Sequence, residues 1–123
     1  MLFALLLLFA QSFEMVMVDK SVGGPLTVMG YPDLVLNRGR STSTHFLVTI
    51  PTDMKRQPNV KFKVVDLPNS VKAKVQPSSC KRTCTVHVVL TGSDTTPVTN
   101  FRPSFQGNAN SIESKLVFNL TVR

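Results

Sequence analysis

From residue 41 onward, apolar and polar side chains alternate one by one, in short runs separated by Pro, Gly, Asn, Asp and Ser. An alternation of period 2 predicts half-buried β-strands, because successive side chains on an extended backbone point to opposite faces. Residues 41–50 form the clearest such run. Thr44, Phe46, Val48 and Ile50 share one parity, while Ser43, His45, Leu47 and Thr49 share the other. Residues 59–66 follow, with Val60, Phe62 and Val64 inward and Lys61 and Lys63 outward. After the turn 66–70 come Val71, Ala73 and Val75 inward, with Lys72 and Lys74 outward. The run 84–91 places Cys84, Val86, Val88 and Leu90 on one face. The run 99–106 places Phe101, Pro103 and Phe105 together, and residues 107–110 are expected to turn the chain. The last strand, 114–122, directs Leu116, Phe118, Leu120 and Val122 inward. Upstream, 26–29 and 34–36 are short strand candidates, and Gly39 is free to take a positive φ in the turn between residues 37 and 40.

These runs recur at intervals of roughly 8–14 residues with turn chemistry between them, the spacing of a sandwich or barrel rather than of βαβ units. Each has one apolar face to bury, so the expected fold is all-β: a single immunoglobulin-like antiparallel β-sandwich of about seven strands. Pro103 cannot donate to a ladder, so its strand is expected at an edge or with a bulge. The 123 residues suffice for one such domain.

The order of elements resembles the immunoglobulin-like modules of secreted and cell-surface bacterial and archaeal proteins. The resemblance runs from Leu26 to Arg123. It rests on Leu34-Val-Leu-Asn-Arg-Gly39 leading into Thr44-His-Phe-Leu-Val-Thr-Ile50, and on Val64-Val-Asp-Leu-Pro68 before Val71-Lys-Ala-Lys-Val75 and Pro77-Ser-Ser79. Cys84-Thr-Val-His-Val-Val-Leu90, Pro97, Phe101 and the closing Leu116-Val-Phe-Asn-Leu-Thr-Val122 complete it. Val98 stands where the family usually has Gly, and Pro103 where it usually has a β-branched residue. The resemblance implies spacing, stiffening, adhesion or assembly outside the cell, and no catalysis. A fold by itself does not fix a role.

The start of the chain is different in kind. Residues 1–10, MLFALLLLFA, are uncharged and apolar, and Ala10-Gln11-Ser12 offers small residues where a signal peptidase reads. No Lys or Arg precedes Lys20, so the positive n-region of such signals is missing. The run is also shorter than the about 20 residues of a membrane span. The expected organisation is a signal-like segment at 1–12, an N-terminal extension at 13–25 and the sandwich at 26–123. The two cysteines, Cys80 and Cys84, are expected to form a disulfide tying a turn to the strand that follows. An exported protein, extracellular or on the cell surface, is the expected setting.

The formal net charge is +7, and the stretch from Lys55 to Arg82, with eight basic residues and Asp66 as its one acid, carries all of it. If the strands bearing Lys61, Lys63, Lys72 and Lys74 pair, four ammonium groups share one face and gain from an anionic polysaccharide or surface. Nucleic acid is not expected, since no aromatics interleave these lysines. No nucleophile elbow, His-Glu-x-x-His or phosphate-cradling glycine loop occurs, so neither enzyme activity nor a cofactor is expected. The two histidines, His45 and His87, sit in separate strands, so no metal centre is expected either. Asn119-Leu-Thr121 is an N-glycosylation sequon. The leading expectation is a non-catalytic structural or adhesive module whose partners are other protein subunits. A second is a filament subunit built from copies of the chain. In that reading a retained N-terminus (Leu5, Leu6, Leu7, Leu8 and Phe9, then Met15, Val16, Met17 and Val18) is donated to a neighbour's open edge, the Pro103 strand being the candidate acceptor. Contact with a membrane is expected only if that segment is retained.

Overall fold

The computed structural model describes residues 13–18, 32–51, 59–109 and 112–123. The strands are β1 (Glu14–Val18), β2 (Asp33–Leu36), β3 (Ser41–Thr49), β4 (Val60–Val65), β5 (Lys72–Gln76), β6 (Ser79–Cys80), β7 (Cys84–Thr91), β8 (Asn100–Phe101), β9 (Ser104–Ala109), β10 (Ile112–Val117) and β11 (Asn119–Val122). One sheet has the order β1-β3-β7-β5. Facing it are β10-β9-β4-β6 and the shorter β2-β11-β8. These last two are halves of one layer, because β8 continues into β9 across Arg102 and Pro103, and β10 into β11 across Phe118. Leu120 still faces Phe101 and Val117 still faces Ser104, so the register survives the break. The chain is thus an all-β, immunoglobulin-like sandwich.

Both layers are closed by the residues that the alternation places inside. Phe46, Val48, Val86, Val88, Leu90, Phe105, Phe118 and Leu120 are fully buried. At the centre Phe46 of β3 stacks on Phe105 of β9, with ring centroids 4.1 Å apart and planes 6° from parallel. Phe62 of β4 lies against the same Phe105 at 5.4 Å, and Phe118 tilts onto Phe46 at 5.9 Å. Antibody domains join the corresponding pair of facing strands with a disulfide and pack a Trp against it. Here an aromatic stack links the two layers. Thr44 is buried on the same inward face, and its hydroxyl has no hydrogen-bond partner among the described residues.

Several expectations change. The sandwich does not begin at Leu26. β1 pairs antiparallel with β3 along its whole length, from Glu14 opposite Thr49 to Val18 opposite His45. Phe13 is buried at its start, and the Phe13 carbonyl accepts a hydrogen bond from Ser114 Oγ at 3.1 Å in the facing layer. Phe13 fits because residue 107 is glycine: a Cβ there would stand 2.8 Å from Phe13 Cε2. The next strand, β2, joins the other layer by pairing parallel with β11. The start of the domain therefore contributes to both sheets. The strand candidate at 26–29 lies outside the described residues.

The turn expected at 107–110 is also displaced, since β9 continues through Ala109 and pairs with β10 from Ile112 onward. Pro103 lies where the outer strand β8 gives way to β9, which has a neighbour on both sides. It is buried inside the sheet, at the break between β8 and β9, where its carbonyl accepts from Phe118 N at 3.1 Å. The break answers the expected bulge: it removes the ladder bond for which proline has no donor. Ala73 has inward parity but is exposed, because β5 is an outer strand of its sheet. Gly39 has φ of 73°; its turn is closed by Arg40 N donating to the Asn37 carbonyl at 3.1 Å, and Gly39 N donates to the Ser93 carbonyl at 3.2 Å.

Candidate functional site

The disulfide forms as expected, Cys80 to Cys84, with Cα atoms 6.5 Å apart. Its position is more consequential than a tied turn. After β5 the chain crosses to the facing sheet, where Cys80 of β6 sits opposite Val60 of β4. It then returns to the first sheet, where Cys84 of β7 sits opposite Val48 of β3. The bridge therefore joins the two layers at one end of the sandwich. Within its loop the Thr83 hydroxyl accepts from Ile50 N at 2.9 Å and donates to the Ile50 carbonyl at 3.3 Å. The loop is held to the end of β3, with Lys81 and Arg82 exposed at its tip.

The four lysines do not share a face. β4 pairs with β9 and β6, whereas β5 pairs with β7 in the other sheet, so Lys61 and Lys63 project from one outer surface and Lys72 and Lys74 from the opposite one. The sequence joins the two strands by a short turn, but that turn passes between layers instead of closing a hairpin. Lys61 and Lys63 gain a different neighbour. Register places Gln106 between Lys63 and Lys115 of β10, and Asn108 between Lys61 and Glu113. Lys115 and Glu113 form an exposed ion pair at 3.7 Å, an interaction worth about 0–1 kcal/mol at a surface.

The proposed assembly segment divides. Leu5, Leu6, Leu7, Leu8 and Phe9, with the rest of 1–12, lie outside the described residues. Met15 and Met17 pack against the core of their own domain, while Val16 and Val18 are exposed on the outer face. On the β9 side of Pro103 no edge is open, since β9 is flanked by β10 and β4, whereas β8 is an outer strand beside β11. Asn119 is half-buried on the outward parity of β11, beside Asp33. Among the described residues no helix is long and apolar enough to cross a membrane.

The two histidines meet in the fold. His45 and His87 are directly opposite one another on β3 and β7, and their rings stack with centroids 4.6 Å apart and planes 16° from parallel. Outward parity was legible for each. Their meeting depends on which strands pair.

No family model matches the chain, and no curated protein matches it in sequence. Among solved structures, 90% of the chain superposes on 27% of a family 123 glycoside hydrolase from Clostridium perfringens, with TM-score 0.58 and 9% identity. Domains 4 and 5 of the S-layer protein SbsC align over 89% of this chain and 53% of theirs, with TM-score 0.47 and 13% identity. A chimeric titin Z1Z2 aligns over 74% of this chain and 85% of its own, with TM-score 0.43 and 14% identity. The chain spans about half of the SbsC fragment and about a quarter of the hydrolase. At these identities the likeness concerns the fold alone.

Proposed function

We infer that this chain is a non-catalytic structural or adhesive module that works outside the cell or at its surface. The observation that carries the reading is the Cys80–Cys84 bridge between the two layers. A disulfide of this kind persists in oxidising compartments and is rare in the cytosol. The apolar start of the sequence, MLFALLLLFA, agrees with export. In an exporting host, intact-mass measurement of the secreted protein should show loss of residues 1–12 and a mass two hydrogens below that of the reduced chain. A protein retained inside the cell, with two thiols open to alkylation, would overturn the reading.

A second reading, polyanion binding, is favoured by Lys61, Lys63 and Lys115 around Gln106 on one outer face. Flat sheet surfaces with clustered ammonium groups attract extended anions, and the attraction weakens as salt screens it. Retention of the protein on heparin should elute at markedly lower salt when Lys61, Lys63 and Lys115 are changed to Gln. Changing Lys72 and Lys74 should matter less. Equal elution of both variants with the parent protein would mean that the lysines only solvate the surface.

A further inference from the structure

We propose that His45 and His87 form a two-histidine site for a late first-row divalent cation, Cu2+ above all. The chain has two histidines, and the fold brings both to one spot on the outer face of the β1-β3-β7-β5 sheet. Their rings are 4.6 Å apart and nearly parallel, and both are half-buried. Neither has a hydrogen-bond partner among the described residues, so the ring nitrogens that do not carry a proton remain open as donors. Metal–imidazole bonds of about 2.0–2.1 Å put two nitrogens on one ion about 3 Å apart. Small rotations about the side-chain torsions close the stack to that span, and half-exposed rings have room for them.

The surroundings select the class of ion. The row across the sheet reads Val18, His45, His87 and Gln76, and the next rows hold Leu47 with Thr85 and Ser43 with Val89. Among the described residues the nearest charged group on this face is Lys74, diagonal to His87, and Glu14 lies at the far end of β1 beside Thr49. No carboxylate among the described residues adjoins the pair. Two imidazoles suit Ca2+ and Mg2+ poorly, since those ions demand oxygen ligands, whereas Cu2+, Ni2+ and Zn2+ accept imidazole and are ranked with Cu2+ tightest. Water or a group from a partner completes the coordination.

The test is calorimetric titration of the full-length oxidised protein with CuCl2, NiCl2, ZnCl2, CaCl2 and MgCl2, alongside His45→Gln and His87→Gln. Cu2+ should bind most tightly, and Ca2+ and Mg2+ should not bind. Each single variant should lose roughly tenfold or more in Cu2+ affinity. Both residues face outward, so the variants should unfold at the parent's urea midpoint. Acidification should release the ion, because only neutral imidazole is a ligand. In the parent protein, the NMR signals of both imidazoles should broaden together on Cu2+ addition. Binding unchanged in the single variants, or broadening confined to one ring, would overturn the proposal. Sedimentation as a dimer at half an equivalent of Cu2+ would support it, with four imidazoles from two copies around one ion.

Discussion

Phe46→Ala should cost about 3–5 kcal/mol, the range for emptying a buried aromatic site, and it should be the most damaging single truncation in the core. Phe46 is fully buried and touches both partners that matter, stacking on Phe105 across the layers and tilting against Phe118. Truncation removes the transfer energy of the ring and leaves a cavity that two rigid sheets cannot collapse to fill. It also removes the aromatic pair energy, about 0.5–1.5 kcal/mol beyond burial. A domain of this kind is stable by only about 5–15 kcal/mol in total. Urea unfolding should therefore show the midpoint falling by roughly 2 M at an unchanged slope. Phe46→Leu, which keeps most of the volume, should lose much less. A loss below about 1 kcal/mol for the alanine variant would mean that the stack is not what holds the layers together.

Removing the disulfide, by reduction or by the double change Cys80→Ser and Cys84→Ser, should cost about 2 kcal/mol in the chain-entropy model for so short a loop. The cost arises because the bridge joins Cys80 in one layer to Cys84 in the other, at the end of the sandwich where the chain crosses twice. Without it, the two-residue β6 keeps only its pairing to β4, and Thr83 loses the anchor that aims its hydroxyl at Ile50. Hydrogen exchange should accelerate first at Ile50 and Phe62, whose amides donate to Thr83 Oγ1 and to the Ser78 carbonyl. Equal urea midpoints with and without reductant would remove the bridge from the account of stability.

The core was legible because parity is local. Phe46, Val48, Phe62, Val86, Val88, Leu90, Phe105, Phe118, Leu120 and Val122 all lie where the alternation directs them. The cysteine pairing was legible as well, with two cysteines four residues apart. The edges read less well. Glu14–Val18 carries apolar Met15, Val16, Met17 and Val18 in an unbroken run, so it has no alternation to mark it as the outer strand of a sheet. Asn108 and Ala109 read as turn residues, but pairing with Glu113 and Ile112 of β10, and of Asn108 with Lys61 of β4, carries β9 through them.

What the sequence by itself determined is which side of each strand faces the interior, because an extended backbone turns successive side chains to opposite sides whatever lies beside it. What only the tertiary structure decided is who stands next to whom. Lys63 faces Gln106 rather than a second lysine strand, β1 lies beside β3, and His45 lies beside His87. Those neighbours are chosen by the burial of both layers at once. That free energy belongs to the assembled pair of sheets and to no single strand.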